Sequence, residues 1–189
     1  MQDSMHGTRS SVARLSDGIS AEVEDWSREH CGRFEWNPSR QLLRTLRDHA
    51  RATQAGGALG RIRAKLAVLR HRFWSVVSGA DIPLGCRIGG GLLLPHPSGV
   101  VIHPQAIVGP NCTFFQQVTL GTGPKPGLPR LGGHVDLGPG AKVLGGVTVG
   151  DHAAVGANAV VLADVGRAIA VVGIPAAPMA RQPGDERPG

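Results

Sequence analysis

The chain has 189 residues, 41% of them hydrophobic, with 28 glycines, four Phe, three Trp and no Tyr. That length holds one domain and a smaller appendage, and so few aromatic rings leave a core of Val, Ile, Leu and Ala. The net charge of +6 is uneven: residues 1–80 carry 13 Lys+Arg against 8 Asp+Glu, residues 81–180 only 5 against 4.

The basic residues of the N-terminal third alternate with Leu and Ala at helical spacing. A solvated helix face is favoured over a nucleic-acid surface, so no nucleic-acid partner is expected. Cys31, Cys86 and Cys112 lie far apart with no CxxC pair, which argues against a metal. The start shows no secretory leader, and no apolar run reaches about 18 residues. A cytoplasmic protein with reduced thiols and no membrane partner is expected.

Residues 1–16 are polar and patternless, a frayed end. Ser20 is placed to cap a helix with Glu22 and Glu24 in its first turn. A stronger start is "NPSRQLLRTLRDHARATQ", with Asn37 as cap, Pro38 at the first helical position and Leu42, Leu43 and Leu46 on one face. "AGG" at 55–57 breaks it. Leu59, Ile62, Leu66, Leu69, Phe73 and Val76 follow at spacings of 3, 4, 3, 4, 3. They predict an amphipathic helix with an apolar stripe and Arg/Lys on its other faces.

From Asp81 an apolar residue recurs every six positions: Ile82, Ile88, Leu94; then, after a two-residue shift, Ile102, Val108, Phe114, Leu120; then Leu131, Leu137, Val143, Val149, Val155, Val161. Glycine often follows it, and small or aliphatic residues such as Ala106, Cys112, Ala141 and Ala153 stand two before it. Cys86 and Cys112 therefore read as core residues rather than nucleophiles. A period of six fits neither a helix nor an alternating strand. It fits a triangular β-helix in which three hexapeptides close a coil of about eighteen residues. The apolar residue fills the prism, and glycine is expected to supply the backbone freedom of the tight turns. Stacked coils cover one another's edges.

"GTGPKPGLPR" (Gly121–Arg130) interrupts the period with three prolines and three glycines, and reads as a loop extruded from one coil. After Val165, a last aliphatic strand with Gly173 and Pro175 closes the stack; residues 181–189 read as a disordered tail. The fold class is mainly β: a left-handed parallel β-helix with a short N-terminal helical region. Its units are residues 1–79 (helical), 80–176 (β-helix) and 177–189 (flexible tail).

In order and spacing, "DIP", "IGGGLLLPHPSGVVI", "VGPNCTFFQQVTLGTG", "LGPGAKVLGGVTVGDHAAVGANAVVLADV" and "VVGIPA" resemble the serine O-acetyltransferases, a family of left-handed β-helix acyltransferases. The resemblance covers roughly residues 80–176. It implies acetyl transfer from acetyl-CoA to the hydroxyl of L-serine, the first step of cysteine synthesis. It also implies a homotrimer, or a hexamer, with active sites between subunits. The catalytic histidine falls on His96 and its aspartate partner on Asp81. Gly121, Thr122, Gly123, Pro139 and Ala157 match positions that approach CoA. Pro95 and Arg130 stand on the acceptor side.

The chemistry suits these residue types. A hydroxyl attacks a thioester poorly unless a base removes its proton, and imidazole does this near neutral pH. A carboxylate on the other ring nitrogen fixes the tautomer and stabilises the imidazolium. Asp81 precedes His96 by fifteen residues, so a coil of about eighteen brings them to adjacent rungs. A backbone N–H serves the oxyanion, and Lys125, Arg130 and Lys142 are candidate cations for the CoA phosphates. No metal is required. His134, after the loop, is the reserve base; His103 and His152 read as turn residues.

The sequence departs from the family at several positions. Pro95 replaces an aspartate that binds the amino acid, and Gly127 and Leu128 replace an Arg-His pair. The family's N-terminal substrate-binding aspartate has only Asp25 as a candidate. The chain ends in "RPG" rather than the isoleucine that engages the next enzyme of cysteine synthesis, so that partnership is not expected. A saccharide or other small-molecule hydroxyl is thus the alternative acceptor. A non-catalytic β-helical scaffold is a third reading, opposed by the retained Asp81 and His96.

Overall fold

A computed structural model describes residues 18–32 and 35–178. The expectations for residues 1–16 and 181–189 lie outside these residues.

No regular helix starts at Ser20. Its hydroxyl instead accepts from the backbone N–H groups of Glu22 and Val23, holding a turn. Hydroxyls favour such local bonds over helix interiors. The helix here is a single 3-10 turn, Trp26–Glu29, capped by the Asp25 carboxylate on Ser27 N–H. Helix α1 (Pro38–Ala55) begins as expected, Asn37 Oδ1 accepting from Arg40 N–H at 3.2 Å. Gly56, at φ 62°, separates it from α2 (Gly57–Ser78).

Strands of two or three residues follow: β1 (Arg87–Ile88), β2 (Val101–Ile102), β3 (Ile107–Val108), β4 (Thr113–Phe114), β5 (Thr119–Gly121), β6 (Arg130–Leu131), β7 (Asp136–Leu137), β8 (Lys142–Leu144), β9 (Thr148–Val149), β10 (Ala154–Val155), β11 (Val160–Val161), β12 (Ala170–Val172) and β13 (Ala177–Pro178). They stack into three faces, β1-β3-β6-β9, β2-β5-β8-β11 and β4-β7-β10-β12-β13. All pairings are parallel except β12 with β13, which reverses the chain and covers the last edge of its face. This is the left-handed parallel β-helix, mainly β, with a helical region before it.

Rung partners stand 18 residues apart in regular coils, as Val101 with Thr119 and Asp136 with Ala154. The first coil is longer: Arg87 pairs with Ile107. Both extra residues lie between Leu93 and Val101, because their partners Thr113 and Thr119 are only six apart. This bulge explains the two-residue shift in the repeat, and it contains His96. Between β5 and β6 the loop adds five residues, so that Thr119 pairs with Lys142.

The repeat positions from Ile82 to Val161 are all buried, at most 9% exposed. Burying each such side chain contributes about 1.5–3 kcal/mol. Leu42 and Leu43 of α1 join the same core, so the helical region closes the first end of the prism.

One expectation needs correction. The glycines after the repeat residue do not adopt positive φ. Their role is close approach: a Cβ on Gly109 would stand 2.5 Å from the carbonyl carbon of Gly132 on the next rung. Left-handed turns fall instead at corner residues such as Asn111, Gln117, His134, His152 and Asn158. The amphipathic helix expected over Leu59–Val76 is present as α2. Its six-residue apolar stripe faces solvent, while Gly60, Ala67, His71 and Ser78 face inward. Gly60 lets α2 close onto α1, since a Cβ there would lie 2.8 Å from the Ala52 carbonyl oxygen.

Residues 18–32 form a strap along one edge of the prism. Asn111 grips it, its Oδ1 accepting from Asp25 N–H and its Nδ2 donating to the carbonyls of Ser20 and Val23. Glu24 Oε1 accepts from Gly90 N–H. The Arg28 guanidinium donates to Gly91 O and Thr113 Oγ1. Glu29 pairs with Arg47 of α1 at 2.8 Å.

Candidate active site

The corners between the β4 and β5 faces form one column. Gln117 N–H donates to Ser98 O, Gly140 N–H to Gln116 O, and Asn158 N–H to Pro139 O, each at 2.8–2.9 Å. The column runs from the His96 bulge through Gln116, Pro139 and Ala157. Neighbouring rungs lie about 4.8 Å apart. Two extra residues push Pro95 and His96 out of the stack, and both are exposed.

Asp81 lies one rung before this corner. Its N–H donates to Val100 O and its carbonyl accepts from Ile102 N–H, bracketing the bridge to Val101. Asp81 thus lies beside the strand that leaves the His96 corner. Among the described residues their side chains share no hydrogen bond. Asp81 is exposed. Its charge acts on two neighbours, favouring protonation of His71 and opposing ionisation of Cys86. Burial dominates both groups, holding the His71 imidazole below its usual range and pushing the Cys86 thiol to about 11.

The other candidates occupy the next edge, at the far ends of the strands that start from the His96 column. Across one such strand the two edges are about 13 Å apart. Gly121 ends β5, and Thr122 and Gly123 open the loop. The loop lies flat on the coil beyond it: Gly145 N–H donates to Gly121 O and Gly146 N–H to Lys125 O. Glycine at 146 permits this, because a Cβ there would collide with Pro126 O at 2.2 Å. Lys125 Nζ reaches both oxygens of Asp164 at 3.0 and 3.1 Å. The Asp164 carboxylate also accepts from Thr148 N–H, and these bonds hold it below the usual carboxylate range. Lys142 Nζ donates to Gln117 O at 2.6 Å. The loop and column lysines are thus engaged within the fold, while Arg130 on β6 is exposed.

His134 lies on the third edge, under the strap. It is 6% exposed, at φ 52°, with Nδ1 2.8 Å from His152 Nδ1. His152 is a corner residue, as expected, and is paired with His134. His103 keeps a turn role, Nδ1 accepting from Gln105 N–H. Asp25, bonded to Ser27 N–H and Oγ, caps its own turn.

Sequence reasoning passed over Gln116. It stands in the column one rung above the His96 bulge, and its Oε1 is buried without a hydrogen-bond partner among the described residues. A pair of glutamines between two apolar repeat positions, in "FFQQV", was its only signal. Among the described residues no group of three His, Cys, Asp or Glu side chains is placed to hold a metal ion. No described helix is long and apolar enough to cross a membrane.

No family model matches the chain. Individual proteins do. It is 46% identical over 103 residues to a serine acetyltransferase of Synechococcus elongatus, covering 53% of this chain and 42% of that protein. A Helicobacter pylori serine acetyltransferase is 45% identical over 100 residues, covering 51% and 58%. One of Mycobacterium tuberculosis is 40% identical over 113 residues, covering 58% and 49%. The chain thus spans about half the length of these relatives. Among solved structures, the soybean serine acetyltransferase apoenzyme superposes with TM-score 0.64 at 34% identity, over 76% of this chain and 58% of that one. A serine acetyltransferase solved in complex with CoA gives 0.63 at 29% identity, over 76% and 57%. The Neisseria gonorrhoeae enzyme solved in complex with serine gives 0.64 at 33%, over 77% and 58%. Through its β-helix the chain is thus similar to the serine acetyltransferases over about half of their length.

Proposed function

We propose that the protein is an acetyl-CoA-dependent O-acetyltransferase whose acceptor is L-serine, with His96 as general base. The observation that carries this is the two-residue bulge, which displaces His96 from a stacked corner into solvent beside the Asp81 strand. A corner histidine with only a structural role would need no such displacement. Identity of 40–46% to serine acetyltransferases over the β-helix supports the reaction class.

The imidazole takes the hydroxyl proton as the oxygen attacks the thioester carbonyl. A tetrahedral oxyanion forms and is met by a backbone N–H. Its collapse breaks the C–S bond, releases the ester, and returns the proton from imidazolium to the CoA thiolate. Asp81 orients His96 and stabilises its charged form once substrate closes the gap between them. Gln116 contributes polar groups beside the base. Acetyl-CoA is a co-substrate here, with Gly121, Thr122, Gly123, Pro139 and Ala157 along its path. Those positions lie on two edges of the prism, which supports sites shared between copies of a cytoplasmic homotrimer. Among the described residues the units are the helical region ahead of residue 80 and the β-helix from residue 80, which β13 extends to Pro178.

A second acceptor class has its own support. Pro95, Gly127 and Leu128 provide no side-chain charge for a zwitterion, which favours a saccharide or other neutral alcohol. CoA release from acetyl-CoA, measured with L-serine, amino alcohols and a sugar panel, separates the two. Serine turnover that falls by about 10²–10⁴ in His96→Ala supports the first reading. Turnover with sugars alone supports the second. Full activity in His96→Ala with loss in His134→Ala assigns the base to His134, and no turnover or acetyl-CoA binding in the wild type removes the enzyme reading.

A further inference from the structure

On the reading of acetyl-CoA as donor, we infer that the Gln116 carboxamide accepts a hydrogen bond from the first amide of the pantetheine arm. That bond fixes the height at which the thioester meets His96.

Gln116 carries an orphan acceptor. Among the described residues its Oε1 is the one buried side-chain oxygen or nitrogen without a hydrogen-bond partner. Burying an acceptor without a donor destabilises a fold, and native proteins carry few such groups. The adjoining corner does not supply the donor. Gln117 N–H is given to Ser98 O, and Gly140 N–H to the backbone carbonyl of Gln116 itself. Lys142 Nζ, one rung further on, is given to Gln117 O at 2.6 Å. The Gln116 side chain therefore waits for a donor from outside the fold, in the column that runs from His96 to Pro139 and Ala157.

Bond lengths select that donor. With the thioester carbonyl beside His96, neither its sulfur nor the two methylenes that follow carry an N–H. The cysteamine nitrogen is the first donor, three bonds from sulfur and about 4 Å away in an extended arm. One rung of the column is about 4.8 Å. An arm that leaves His96 toward Pro139 and Ala157 brings this N–H level with Gln116. The next amide nitrogen follows four bonds later, about 5 Å on. It comes level with Pro139, whose side chain neither gives nor takes a hydrogen bond. The first amide is thus the one that a side chain of this column can recognise. L-Serine also carries donors, and binding of CoA without acceptor separates the two.

The test is calorimetric titration of the full chain, without acceptor, using CoA and an analogue whose cysteamine N–H is replaced by an ester oxygen. Wild type should bind CoA about 10-fold more tightly than the analogue, which turns an acceptor toward Oε1. In Gln116→Leu, CoA should bind about 3–10-fold more weakly and the two ligands should bind alike. The unfolding midpoint of the free variant should not fall, because the orphan oxygen leaves with the side chain. Gln116→Glu keeps an acceptor and should keep the preference for CoA; Gln116→Met serves if the Leu variant fails to fold. CoA binding with an unchanged preference in Gln116→Leu overturns the inference and leaves the acetyl-CoA reading standing. So does a variant that binds CoA as the wild type does but needs more L-serine for half-maximal turnover, which assigns Gln116 to the acceptor. A wild type that binds neither ligand overturns the inference and the acetyl-CoA reading together.

Discussion

Arg47 offers the most direct test of how the strap holds the first coil. Its guanidinium gives Nε and Nη2 to the two Glu29 oxygens at 3.1 and 2.8 Å. It also donates to the carbonyls of Ile88 and Gly89 at 2.6 and 2.7 Å and stacks 5.2 Å from the Trp26 ring. The side chains of Arg47 and Glu29 are only 18% and 7% exposed. In Arg47→Ala the Glu29 carboxylate stays buried with Leu92 N–H as its remaining donor among the described residues, and two carbonyls lose a partner. Leaving a buried charge unpaired costs about 3–5 kcal/mol, far above the 0–1 kcal/mol of a solvated pair. Urea unfolding followed by Trp fluorescence and circular dichroism measures the loss. Replacing both partners with apolar residues (Glu29→Leu with Arg47→Met) should recover part of it, because no orphan charge remains although the Ile88 and Gly89 carbonyls and the Leu92 N–H still lack their partners. A loss under about 1 kcal/mol in Arg47→Ala would refute the reasoning, since the pair would then behave as a surface contact.

Two other expectations concern ionisation. Burial between α1 and α2 depresses the His71 pKa below its ordinary 6.5, and Thr45 Oγ1 lies 3.2 Å from its Nδ1. The unfolded chain therefore binds the proton more readily, so this stability is present above pH 6.5 and lost as pH falls below it. His71→Gln should flatten the pH dependence of the unfolding midpoint between about pH 7 and 5; an unchanged slope counts against the assignment. The Cys112 thiol is fully buried and pushed to about 12, and Cys86 to about 11. Ellman's reagent at about pH 8 should label the native protein slowly and the urea-unfolded protein promptly; fast native labelling would contradict the packing.

The β-helix was legible because its signal is local and repeated. Every sixth side chain meets the same prism, so Ile82 through Val161 betray the fold before any contact is known. The role of the glycines was not legible. A close approach such as Gly109 against Gly132 joins residues 23 apart, and periodicity alone does not distinguish it from a left-handed turn. The strap was hidden for a similar reason, since it depends on Asn111 reaching Ser20, 91 residues away. The α2 stripe was legible as a pattern, but a spacing does not say which side a helix shows to its neighbour. Gly60 against Ala52 decided that. At the site, the roles of His96 and of the glycines at 121 and 123 came only from resemblance; the two-residue shift in the repeat took on meaning once the Leu93–Thr113 and Val101–Thr119 pairs located it at His96. Gln116 carried no repeat signature and needed the stacked column to be seen.

The bulge at His96 has a consequence for how such a chain can change. Leu93 pairs with Thr113 and Val101 with Thr119 on either side of it, so the rungs keep their register despite the two added residues. The five extra residues between β5 and β6 leave Arg130 paired with Ile107 in the same way. A vertex of the prism therefore behaves as a socket that accepts chain of varied length without transmitting it along the axis. Each edge can be rewritten separately, and a reactive side chain at one vertex can be altered without renegotiating the core that carries it.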